Sequence, residues 1–125
     1  MENQKNNETY QLEYQEFIKN YSSMEISAGK VGELIARLAQ YYATWNSQHV
    51  HDERSLALVA SVIEQKTDDN GKIISSAKAK VLTDATDEAY KANMSRCHVQ
   101  NIEQYINALK SLLKGITNEF AYQTN

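Results

Sequence analysis

Residues 31–65, VGELIARLAQYYATWNSQHVHDERSLALVASVIEQ, decide the fold of this chain. Within them Val31, Ile35, Leu38, Tyr42, Trp45, His49, Asp52, Leu56, Val59 and Ile63 recur at alternating steps of four and three. Such spacing puts every one of them on a single seam of an α-helix, the pattern that packs helices side by side. A second ladder of the same kind follows: Ala85, Glu88, Ala92, Ser95, Val99, Ile102, Ile106, Leu109, Leu113, Ile116 and Phe120. Both ladders turn polar or small at their middles.

Between the ladders lies Thr67-Asp68-Asp69-Asn70-Gly71-Lys72, the clearest turn in the sequence. Its acidic and amide side chains stop helices, and Gly71 tolerates positive φ. Asn-Gly also marks β-hairpins, but the helical periods on both sides outweigh that reading. A turn centred near Asn70 folds the two ladders into an antiparallel hairpin. Leu38 then falls near Ile102, Trp45 near Arg96, His49 opposite Ala92, and Asp52 opposite Glu88 and Ala89. The polar interruptions of the two ladders therefore meet at one height.

Ahead of the hairpin, Tyr10, Tyr14, Phe17, Tyr21 and Met24 repeat at helical spacing and predict a short first helix. Ser22 with Glu25 has capping-box spacing, and Ser27 is an equal candidate to start the second helix. The expected architecture is all-α: a disordered stretch over residues 1–8, then one helical domain over 9–125 with helices at about 9–21, 27–66 and 75–122. The second helix is roughly 50 Å long at ~1.5 Å per residue. Ser75 or Ser76 caps the third. The cap-like cluster Thr83-Asp84-Ala85-Thr86-Asp87-Glu88 marks where that helix is open to a break.

A two-helix, coiled-coil-like hairpin buries one seam per helix, yet apolar residues also stand off the seam. They are Leu34, Tyr41, Leu58 and Val62 on one arm, and Met94, Tyr105 and Leu112 on the other. A first helix of ~14 residues is too short to line both arms. Assembly into a homo-oligomeric helical bundle is the expected remainder, so the first expected partner is a second copy of the chain.

Composition narrows the function classes. Hydrophobic residues at 42% and charged residues at 23% describe a folded chain rather than a disordered one. Proline is absent and glycine occurs four times, so little interrupts a long helix. No apolar run approaches the ~20 residues of a membrane span, and MENQKNNETY lacks a signal peptide. One cysteine, Cys97, forms no intramolecular disulfide and fits a reducing cytoplasm, the expected location. The net charge of −3 sits in residues 1–26, and the rest of the chain is balanced. Nucleic acid is thus not an expected partner.

Two groups of side chains are candidates for ligand binding. His49 and Asp52, with Glu88 across the seam and Arg96 nearby, combine imidazole, carboxylate and guanidinium inside the hairpin. Duplicated in a second subunit, the imidazole and carboxylates resemble donors for a metal in a four-helix bundle. The order departs from the paired Glu-x-x-His signature of di-iron bundles, and a hydrated polar layer that fixes register needs the same residues. At the tip, Lys72, Ser75, Ser76 and Lys78 join a helix amino terminus, a phosphate-binding combination whose ordinary counterpart is simple capping. It is not a Walker A loop. No cofactor and no catalytic residue is expected, since no Ser-His-Asp set or glycine-rich phosphate loop is present.

The segments Val31–Gln40 and Asn101–Lys110 resemble, in style, small helical accessory proteins of phages and prophages. Among these, the anti-CBASS cyclic-nucleotide sponges are similar in being small, helical and multimeric. The resemblance implies a non-catalytic phage anti-defence protein that sequesters or docks a host signalling or defence component, such as a nucleotide or a host or phage protein. It supplies no binding residue that maps onto a numbered position here. Two rival expectations are an accessory of phage DNA replication or recombination acting by protein contact, and a metal-binding helical bundle built on His49, Asp52 and Glu88.

Overall fold

The computed structural model describes the backbone of residues 2–21 and 27–123 and the side chains of residues 9–21 and 27–118. The described residues form four helices: α1 (Glu2–Tyr21), α2 (Ala28–Ile63), α3 (Ser76–Asp84) and α4 (Asp87–Gln123). The expected all-α antiparallel hairpin is present, with α2 as one arm and α3 with α4 as the other. α1 begins at Glu2, ahead of the boundary near residue 9. Once Tyr10 and its neighbours are anchored, extending a helix by further turns costs little. The capping box at Ser22 and Glu25, Met24, and the seam position Phe120 lie outside the described residues or side chains. Ser27 is the cap of α2: its hydroxyl accepts from the Lys30 amide at 3.2 Å.

A break after Asp84 makes four helices where three were expected. Thr83 turns its hydroxyl back onto the Ala79 carbonyl at 2.8 Å, and Thr86 donates to the Thr83 carbonyl at 2.6 Å. Thr86 then caps α4, accepting from the Ala89 amide at 3.2 Å. Asp87 and Glu88 occupy the first turn, where their charge complements the helix dipole. The cap-like reading of this cluster was right; its strength suffices to start a new helix.

The chain divides into two compact units, residues 1–44 with 100–125, and residues 45–99. In the first, Tyr10, Val31, Leu34, Leu38, Ile102 and Leu109 are fully buried. The Tyr10 ring packs 6.0 Å from that of Tyr41 and 6.1 Å from that of Tyr105, while Tyr14 stacks on Tyr105 at 4.0 Å. α1 thereby covers Tyr41 and Tyr105, two of the off-seam residues for which an oligomer had been expected. Tyr42 donates to Glu103 across the arms at 3.1 Å.

In the second unit Trp45, Asp52, Ile63, Ala79, Ala89, Ala92, Ser95, His98 and Val99 are buried. The arms are offset from the expected register: Trp45 meets His98 rather than Arg96, and His49 meets Ser95 rather than Ala92. Along α4 the partners thus stand two and three residues further on than expected.

Near the tip, Ile63, Ile74 and Ala79 form a small core with Val59 against it. The turn itself is a miniature hairpin: Thr67 and Ile73 form an antiparallel bridge. Gly71, at φ +77°, closes it, a conformation that disfavours any side chain with a Cβ.

Candidate functional site

Four polar side chains and one indole converge inside residues 45–99. The alternation of four and three that carries Trp45, His49 and Asp52 inward on α2 also carries Ser95 inward on α4. His98 follows one helical turn later. Asp52, Ser95 and His98 are the buried polar or charged residues among those described. His49 bridges the arms: Nδ1 lies 3.1 Å from the Ser95 hydroxyl, and Nε2 lies 3.0 Å from the Glu53 carboxylate.

Ser95 has one hydroxyl proton and lies 3.1 Å from the Lys91 carbonyl and 3.2 Å from that of Ala92. Either it donates to those carbonyls and accepts from Nδ1–H, or it donates to Nδ1. In the neutral ring only the second arrangement leaves the proton on Nε2 to donate to Glu53; in the first, Nε2–H is present only in the imidazolium. Asp52 accepts from the Gln48 amide at 2.9 Å. His49, Asp52 and Ser95 are thus paired with protein groups.

Trp45 and His98 were not in the expected site. Their rings lie 4.4 Å apart at 34°, and burial pushes His98 below its ordinary pKa of 6.5, because desolvation penalises the imidazolium. The Trp45 indole N–H is buried without a hydrogen-bond partner among the described residues. The signal for His98 was available in its spacing, three after Ser95 and four before Ile102, which puts it beside the seam.

The remaining expected members do not join the layer. No hydrogen bond or ion pair links Glu88 to His49 or Asp52 among the described residues. Arg96 is exposed and donates to Asn93 at 3.0 Å within its own helix. No three His, Cys, Asp or Glu side chains among the described residues are placed to hold a metal ion together. The donor set of the metal-bundle alternative is therefore not assembled within one chain.

At the tip the backbone amides of Lys72 and Lys78 are already engaged. The Asp68 carboxylate accepts from the amides of Asn70 at 2.8 Å and Lys72 at 3.0 Å. Ser75 caps α3 by accepting from the Lys78 amide at 3.2 Å. An internal carboxylate thus occupies turn amides that a phosphate would need. Ser76 is the first residue of α3 and exposed, and the Lys72 and Lys78 residues are also exposed.

Shallow grooves also mark the surface of the described residues. One of about 310 Å³ is lined by Ala39, Tyr42, Glu103, Ile106, Asn107 and Lys110. Its Tyr42 hydroxyl is held above the ordinary phenol pKa by its hydrogen bond to Glu103. Another, about 240 Å³, lies beside Ala60 and Thr83. Among the described residues no helix is long and apolar enough to cross a membrane. The chain matches no protein-family model, no curated protein and no solved structure.

Proposed function

We propose that this chain acts by binding rather than by catalysis, as a helical hairpin that self-associates and, assembled, sequesters or docks a small component of host signalling or defence. One observation carries the reading. Val50, Leu58, Val62, Ile73, Val81 and Tyr90, all in residues 45–99, are each 60% or more exposed, around a tip core of three buried residues. A single copy that leaves this much apolar surface wet gains by covering it. The pairing of His49, Asp52 and Ser95 with neighbouring side chains supports the same reading, because those groups are engaged in holding register.

The phage-accessory style makes a nucleotide the first ligand to test. Isothermal calorimetry with cyclic and linear nucleotides, beside sedimentation of the free chain, tests the proposal. A multimer that binds a nucleotide without turnover fits it. A multimer that binds duplex DNA with a steep salt dependence would replace it with the replication or recombination accessory. Stoichiometric metal in the purified protein would replace it with the metal bundle.

A further inference from the structure

We infer that one side of residues 45–99 is the docking face for a second copy of this chain. In this two-fold contact Leu58, Val62 and Leu82 of each copy seat against Tyr90 and Met94 of the other. The inference rests on the self-association proposed above and specifies its surface.

Sidedness follows from helix phase. Leu58, Val62, Leu82 and Met94 each stand one residue ahead of an inward side chain: Val59, Ile63, Thr83 and Ser95. One residue back is a rotation of ~100°, and on antiparallel helices that rotation leads to the same side of the pair. Tyr90, one turn before Met94 but one residue after buried Ala89, faces away from the other arm and borders the strip at its outer edge. Val50 follows an inward residue, His49, and belongs to the opposite side.

All five members are exposed, with Leu58 at 60%, Val62 at 64%, Tyr90 at 66%, and Leu82 and Met94 at 38%. Together they present roughly 400–500 Å² of apolar surface, taking ordinary side-chain areas. A standard interface buries about 800 Å² per partner, of which roughly 60% is apolar. The strip supplies the apolar share of one such interface.

Charge and layout point to a second copy as the occupant. The strip contains no charged side chain, and residues 45–99 hold eight acidic against seven basic residues, so two copies meet without strong repulsion. The strip also has two parts at different heights. Met94, beside Ser95, is level with His49, nine residues before Leu58 and so ~13 Å along α2 at ~1.5 Å per residue. A two-fold axis between the parts brings Leu58 of each copy onto Met94 of the other, the reciprocal contact an isologous dimer requires.

Charge-swapped mixing tests this with the full chain. Leu58→Glu and Met94→Lys alter exposed positions, so each variant should keep the wild-type far-ultraviolet dichroism. Each alone buries two unpaired charges per dimer and should weaken dimerisation at least about 100-fold by sedimentation equilibrium, equivalent to ~2.7 kcal/mol. Mixed in equal amounts, they should form a dimer holding one of each by native mass spectrometry, because the opposite charges then meet. Val50→Glu, on the other side, should dimerise like the wild type. A dimer that tolerates both single changes would overturn the face while leaving self-association standing. Variants that dissociate but do not pair would overturn the Leu58–Met94 contact. A wild-type chain that stays monomeric at micromolar concentration leaves the face to a partner of different sequence and overturns both readings.

Discussion

Replacing His49 and Asp52 together by leucine should stabilise the protein. Asp52 is 6% exposed and accepts from Gln48; His49 contacts Ser95 and Glu53. None of the three partners is orphaned by the change. Ser95 keeps carbonyl acceptors at Lys91 and Ala92, the Glu53 side chain is 63% exposed, and Gln48 is partly exposed. The loss is therefore two or three hydrogen bonds at about 0.5–1.5 kcal/mol each. The gain is the burial of two leucines at about 1.5–3 kcal/mol each, together with removal of a desolvated carboxylate. The balance favours the variant by about 1–3 kcal/mol. For 125 residues the unfolding entropy gives ~4 °C per kcal/mol, so Tm should rise by about 4–12 °C. The assay is thermal unfolding followed by helical dichroism at fixed protein concentration, since dimerisation makes Tm concentration-dependent. A Tm lowered by about 4 °C or more would refute the structural account of this layer. A raised Tm with loss of nucleotide binding would give the layer a ligand role as well.

Stability should fall as pH drops below about 6.5, because burial depresses the folded-state pKa of His98. The unfolded chain takes up a proton there before the folded one does, so stability present above that range is lost going down; urea titrations across it, with His98→Asn as control, read the slope. Gly71→Ala meets no atom within 4 Å, so only the positive φ opposes it. It should cost about 1–2 kcal/mol, and Gly71→Asn less, by thermal unfolding. Tyr10→Ala empties a fully buried site between Tyr41 and Tyr105 and should cost about 3–5 kcal/mol. Hydrogen exchange should show the α1 amides losing protection first.

Much of the hairpin was legible because it rests on periodicity, and periodicity survives small errors of register. Trp45, Asp52 and Ile63 on one arm and Ala92, Ser95, Val99 and Ile102 on the other are buried as their spacing requires. What the spacing could not supply was height. The offset that pairs His49 with Ser95 is a matter of backbone geometry in the turn and at the break between α3 and α4 rather than of pattern. The same offset accounts for much of the site. Glu88 was placed opposite Asp52 on the assumption of an unbroken helix, and His98 took the place beside Trp45 that the assumed register gave to Arg96. The off-seam residues divided for a different reason. Tyr41 and Tyr105 found aromatic partners in α1, whereas Leu58, Val62 and Met94 remain exposed. At the tip, the pairing of Asp68 with the turn amides reflects a local preference of Asp for its own backbone, visible in the Asp-Asp-Asn-Gly run itself.

Assembly through exposed apolar surface is the central claim, and the mass of the unmodified chain in solution tests it most directly. Sedimentation equilibrium across the micromolar range should give twice the chain mass of 14.2 kDa, with dissociation only on dilution. A species of 14.2 kDa at every concentration would contradict it.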